Sequence, residues 1–154
     1  MLPEAAARGQ RKLMRYIRRM DRVIFACRHS AGRSQMAAAF FNHLSDPARA
    51  RSTAAGTTPA THVHPEVVEV MREAGLDLSG ARPQLLTAEL AAGARRLVTM
   101  GCGEECPYVP GVPVEDWALD DPKGQTVERV RAIRDEIRRR VETLIAAEGW
   151  APAG

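Results

Sequence analysis

Apolar positions recur along this chain with two different periods. The clearest is helical: Val127, Val130, Ile133, Ile137, Val141, Leu144 and Ile145 step by threes and fours from about 125 to 147. Met36, Ala37, Phe40, Phe41 and Leu44 predict a second helix over 34–44, stopped near Ser45-Asp46-Pro47. Pro65 suits the first turn of a third, with Val67, Val68, Val70 and Met71 on its apolar face and Gly75 at its end. A shorter helix is expected at 86–92. Between these lie brief unbroken apolar runs. Val23-Ile24-Phe25-Ala26 reads as a strand buried on both faces, and Leu97-Val98-Thr99-Met100 as another. Weaker strands are expected at 50–54 and 113–117, and a loop with at most one helical turn from Gly101 to Gly111. Strands alternating with helices predict an α/β fold: a small open parallel sheet of about four strands with helices on both faces.

Composition narrows the class. The chain has 154 residues, 45% hydrophobic and 27% charged, as in ordinary globular proteins. One catalytic α/β domain is expected over 21–150. Residues 1–20 read as a basic, helical N-terminal extension. The net charge of +3 is concentrated there, because residues 1–22 hold seven basic side chains against two acidic ones. The remaining body is too weakly charged for a nucleic-acid footprint. No apolar run is long enough to span a bilayer, and no secretory h-region is present, so a cytoplasmic location without membrane association is expected. The three cysteines, Cys27, Cys102 and Cys106, suit redox or catalytic work in a reducing compartment better than a disulfide framework. Their spacing does not match a zinc site, and no metal is expected.

The segment 22–44 carries the chemistry. After the first strand comes CRHSAGRS, in which Cys27 is followed by five residues and then Arg33 and Ser34. A loop entering a helix N-terminus aims backbone N–H groups at an anion, and the helix dipole adds positive potential. Arg28, His29, Ser30, Ala31, Gly32 and Arg33 are therefore the candidate oxyanion cradle. Arg33 offers a planar fork of donors. Cys27 sits where that field favours a thiolate, and Ser34 is placed to donate a hydrogen bond to the sulfur.

VIFACRHSAGRSQMAAAFF resembles the active-site segment of the low-molecular-weight protein tyrosine phosphatase superfamily, and its RSQMA continuation is closer to the arsenate reductase branch. STAAGT at 52–57, HPEVVEVMREAGLDLS at 64–79, VTMGCGEECP at 98–107 and DWALDDP at 116–122 follow in the family's order. The resemblance covers about 21–147 and implies a low-molecular-weight phosphatase-like fold. It implies Asp121, before Pro122, as the general acid that protonates the departing oxygen. Asp120 next door and the more distant Asp116 are its alternatives.

The resemblance also implies a redox relay. In that scheme Cys27 attacks arsenate, Cys102 attacks Cys27 and releases arsenite, and Cys106 attacks Cys102. The i, i+4 spacing puts Cys102 and Cys106 within one helical turn. Glu104, Glu105 and the flanking glycines argue against deep burial of this segment. Lys123-Gly124-Gln125 stands where tyrosine phosphatases carry aromatic residues, which favours an inorganic oxyanion. The expected partners are arsenate or a phosphate-like oxyanion and an external thiol reductant of the thioredoxin kind, with no bound cofactor. The alternatives are a tyrosine or aryl phosphatase, a mycothiol- or glutathione-dependent transferase, and a silent oxyanion-binding module. Two departures stand out. Ser30 replaces the loop's usual asparagine, and Ala38 replaces a glutamate that assists a potassium ion, so no such ion is expected. His29 reads as a solvent-facing loop residue, and His62 and His64 as residues at a helix start.

Overall fold

The computed structural model describes residues 3–9 and 20–153. Of the expected N-terminal helix, α1 covers 4–9, and residues 10–19 lie outside the described residues. From there the chain runs β1 (Asp21–Cys27), α2 (Arg33–Leu44), β2 (Ala50–Gly56), α3 (Pro65–Glu73), α4 (Ala88–Ala91), β3 (Arg96–Thr99), a 3-10 turn (Gly103–Glu105), β4 (Val114–Asp116) and α5 (Val127–Glu148). The four strands form one sheet in the order β2-β1-β3-β4, and every pairing is parallel. From residue 20 onward the expected strands and helices are all present, with ends moved by at most two residues. The shortest α-helix is α4, a single turn, because Leu86 N–H is taken by Gly56 O at 2.8 Å and the helix opens only after Thr87, whose side chain accepts from Leu90 N–H.

β1 shows why its sequence is continuously apolar. Alternate side chains enter opposite layers. Val23, Phe25 and Cys27 join a core with α2, α3 and α5, where Phe41, Val67, Met71, Ile137 and Val141 pack. Ile24 and Ala26 face the other way, toward Leu86, Leu97, Cys102, Val109 and Val112. Burial of a side chain the size of Ile137 stabilises by about 1.5–3 kcal/mol. The base of the molecule is closed by Trp150, whose indole N–H donates to Asp21 at 3.0 Å and whose ring meets Phe41 edge-on. At the opposite end of the sheet, the carboxyl ends of β1, β2 and β3 converge.

Candidate active site

β1 ends at Cys27 and α2 begins at Arg33, so five residues link mid-sheet to a helix N-terminus. Ligands in α/β folds bind at this edge. Gly32 precedes α2 with no side chain capping the first turn. Among the described residues, no protein acceptor takes the N–H groups of Arg28 to Gly32. The carbonyls, in contrast, are all engaged from outside. Thr57, Thr58, Ala60 and His64 N–H groups donate to the carbonyls of Cys27, Arg28, His29 and Ala31 at 3.3, 2.8, 2.9 and 2.9 Å. Gln35 Nε2 donates to Ser30 O at 2.9 Å, and Met36 N–H to Gly32 O at 3.0 Å. A trans peptide points its N–H opposite to its C=O. Carbonyls drawn outward therefore turn the amides inward, as in an anion-binding nest. Gly56 makes the close approach possible, since a Cβ there would stand 2.6 Å from Ser30 N and 2.7 Å from Arg28 O.

Cys27 is the free cysteine and is buried, with Sγ 3.1 Å from Ser34 Oγ. Once the sulfur is a thiolate, the Ser34 hydroxyl donates. Arg33 is buried too. Its Nη1 donates to Leu119 O at 2.9 Å and its Nη2 lies 3.8 Å from Asp121 Oδ2. Its buried Nε has no partner among the described residues, which leaves one donor of the fork for a ligand. Gly101, at φ 94°, lies against this guanidinium. A Cβ there would stand 3.0 Å from Arg33 Cζ and closer still to Nη1.

Of the three acidic candidates, Asp121 is the one that reaches Arg33. Lys123 N–H donates to its other oxygen at 3.0 Å. Asp120 pairs with Arg129, and Asp116 accepts from Thr99 Oγ1 at 2.6 Å. Pro122 and His64 overhang the loop, for a Cβ on Gly32 would meet them at 3.0 and 3.5 Å. Burial pushes the His64 imidazole below its ordinary value, against the opposing pull of Glu66 and Asp121. His29 is half-buried rather than solvent-facing, its ring centroid 6.3 Å from that of His64. The Arg28 side chain leaves the cradle for Glu105, at 3.3 Å, so Arg28 offers the site its amide and not its guanidinium. Trp117 is a core residue tilted against Phe25, ring centroids 5.7 Å apart, and supplies no aromatic wall.

Cys102 and Cys106 form a disulfide across the 3-10 turn, with Cα atoms 5.6 Å apart. The expectation that this segment avoids burial fails for Cys102, which is 5% exposed. β3 delivers it beneath Val109 and Val112, while Glu105 stays in solvent and Cys106 is half-buried. Among the described residues, no group of three His, Cys, Asp or Glu side chains is placed to hold a metal ion.

Sequence reasoning missed Gln35, Gly56, Gly101 and the amides of 57–64. Their signals were faint: a polar residue in the first turn of an apolar helix, a glycine closing one strand and another just past a second. Backbone donors leave no trace in side-chain chemistry.

The low molecular weight phosphotyrosine protein phosphatase family matches residues 22–148, and the chain belongs to that family. It is 44% identical over 126 residues to a putative arsenate reductase of Halobacterium salinarum, covering 78% of this chain and 87% of that one. It is 35% identical to a glutaredoxin arsenate reductase of Synechocystis, covering 82% and 98%. A thioredoxin-dependent arsenate reductase of Corynebacterium glutamicum superposes with a TM-score of 0.72 at 35% identity, over 83% of this chain and 61% of that longer chain.

Proposed function

We infer that this chain is an arsenate reductase that releases arsenite and carries its oxidation away as an internal disulfide. The observation behind this reading is the Cys102–Cys106 disulfide on the segment that follows β3, next to a loop whose own cysteine is free. An ester hydrolase needs Cys27, Arg33 and an acid but has no use for a second pair of thiols. The inward amides and Arg33 bind the tetrahedral oxyanion, and the Cys27 thiolate attacks arsenic. Asp121 gives a proton to the departing oxygen, which leaves as water. Cys102 thiolate then attacks Cys27 Sγ. The sulfur–sulfur bond forms, and the electron pair of the sulfur–arsenic bond passes to arsenic as arsenite departs. Cys106 thiolate attacks Cys102, frees Cys27 thiolate and leaves Cys102–Cys106 oxidised. An external thiol reductant returns the two electrons, and a thioredoxin-like dithiol protein suits an exchange at half-buried Cys106.

The test is a free-thiol count on reduced protein mixed anaerobically with excess arsenate and no added thiol. Three thiols should fall to one, with one arsenite released per chain. Three persisting thiols without arsenite would reject the relay.

A further inference from the structure

Ser30 is the only non-glycine residue with a positive φ, 52°, among the described residues. A side chain in this region crowds the following carbonyl. It persists only where the surroundings over-determine it. Ser30 is fully buried, and it is held from both ends. Gln35 Nε2 donates to its carbonyl at 2.9 Å, and Gln84 N–H donates to its hydroxyl at 3.3 Å.

Gln35 is buried in the first turn of α2. Its carboxamide spends both N–H donors on carbonyls, Ser30 O and Arg82 O, the second at 3.2 Å. The segment carrying Arg82 is anchored in turn. Gln84 O accepts from Gly56 N–H at 2.9 Å, and Gln84 Nε2 donates to Ala54 O at 3.0 Å. Gln35 thus ties the middle of the loop to the end of β2. Asparagine carries the same amide on a stem one methylene shorter, glutamate has no donor when ionised, and methionine none at all.

A left-handed step between right-handed ones makes successive amides converge on one anion. We propose that Gln35 is a positioning residue. Its amide holds Ser30 left-handed and so keeps the loop's amides converged on a tetrahedral oxyanion. This rests on the 27–34 loop being an oxyanion cradle, and it adds the residue that sets the cradle's shape.

The experiment is calorimetric titration of the reduced full-length protein with inorganic phosphate. Gln35→Met should weaken phosphate binding about tenfold or more, since it leaves the carbonyls of Ser30 and Arg82 without their donor. Adding Ser30→Asn should recover most of that loss, because asparagine tolerates the left-handed region unaided. A purely structural role for Gln35 would not be rescued at Ser30. Wild-type affinity in Gln35→Met, or no recovery in the double variant, overturns the proposal. Should Gln35→Met not fold, Gln35→Asn keeps a neutral amide on a stem one methylene shorter, draws it back from Ser30 O and carries the same expectation. A wild-type protein that binds no phosphate would sink the cradle itself, and the proposal with it.

Discussion

The anion loop and the cysteine turn both leave the carboxyl edge of one sheet, yet they are held in opposite ways. In the loop, each carbonyl from Cys27 to Gly32 accepts a bond from outside it, and Ser30, Arg33, Ser34 and Gln35 are buried. The turn closes mostly on itself. Glu105 N–H donates to Cys102 O at 3.1 Å and Cys106 N–H to Gly103 O at 3.3 Å. Among the described residues, its outward polar ties are the exposed Arg28–Glu105 pair and a 3.3 Å bond from Thr57 Oγ1 to Glu105, beside the packing of Cys102 under Val109 and Val112. The proposed chemistry calls for this contrast. Donors for an oxyanion help most when their geometry is set beforehand. A sulfur that must meet two partners in turn needs a segment that opens at little cost.

Four experiments press on this contrast, beginning with the largest effect. Cys106→Ser should stop multiple turnover while leaving a single cycle: one arsenite per chain, then a protein trapped as Cys27–Cys102. Mass spectrometry of the trapped bridge would show it, and sustained turnover would discard the relay. Gly101→Ala strikes the joint between the regions, where a Cβ meets Arg33 at positive φ. It should destabilise the fold by about 1–3 kcal/mol in urea unfolding and weaken phosphate binding in the same sample. An unchanged midpoint would mean that Arg33 has room to move.

The third concerns pH. The folded state holds the His64 imidazole below its value of 6.5, so the unfolded chain binds the proton more readily. The two states match above 6.5, and stability falls as pH drops below that value toward the folded one. His64→Gln should flatten the unfolding midpoint over this window, and an unaltered slope would assign the dependence elsewhere. The smallest effect is expected from Glu105→Gln. An exposed pair contributes no more than about 1 kcal/mol, so the midpoint should move little. A loss comparable to that of Gly101→Ala would show that the turn is held as firmly as the loop.

The layout of the fold was legible wherever periodicity was strong. β1 and α5 announced themselves because one is buried on both faces and the other along a single stripe. α4 was begun two residues too early, since nothing local showed that Leu86 N–H would be taken by Gly56 O and that Thr87 would cap the helix. The cysteine turn was misjudged in one respect. Polar neighbours argued for exposure, but the burial of Cys102 depends on where β3 releases it beneath Val109 and Val112.

The same division runs through the site. CRHSAGRS by itself determined a thiol, a guanidinium and a helix N-terminus at fixed spacing, because a strand–loop–helix link places them within a few residues of one another. Which aspartate faces Arg33 was decided only by the tertiary structure, through Arg129 engaging Asp120 and Thr99 engaging Asp116. The inward turn of the amides was decided there too, since four of the six donors that draw the carbonyls outward come from 57–64, far along the chain. Local sequence specifies which groups are present. Their orientation comes from partners that only the folded sheet brings alongside.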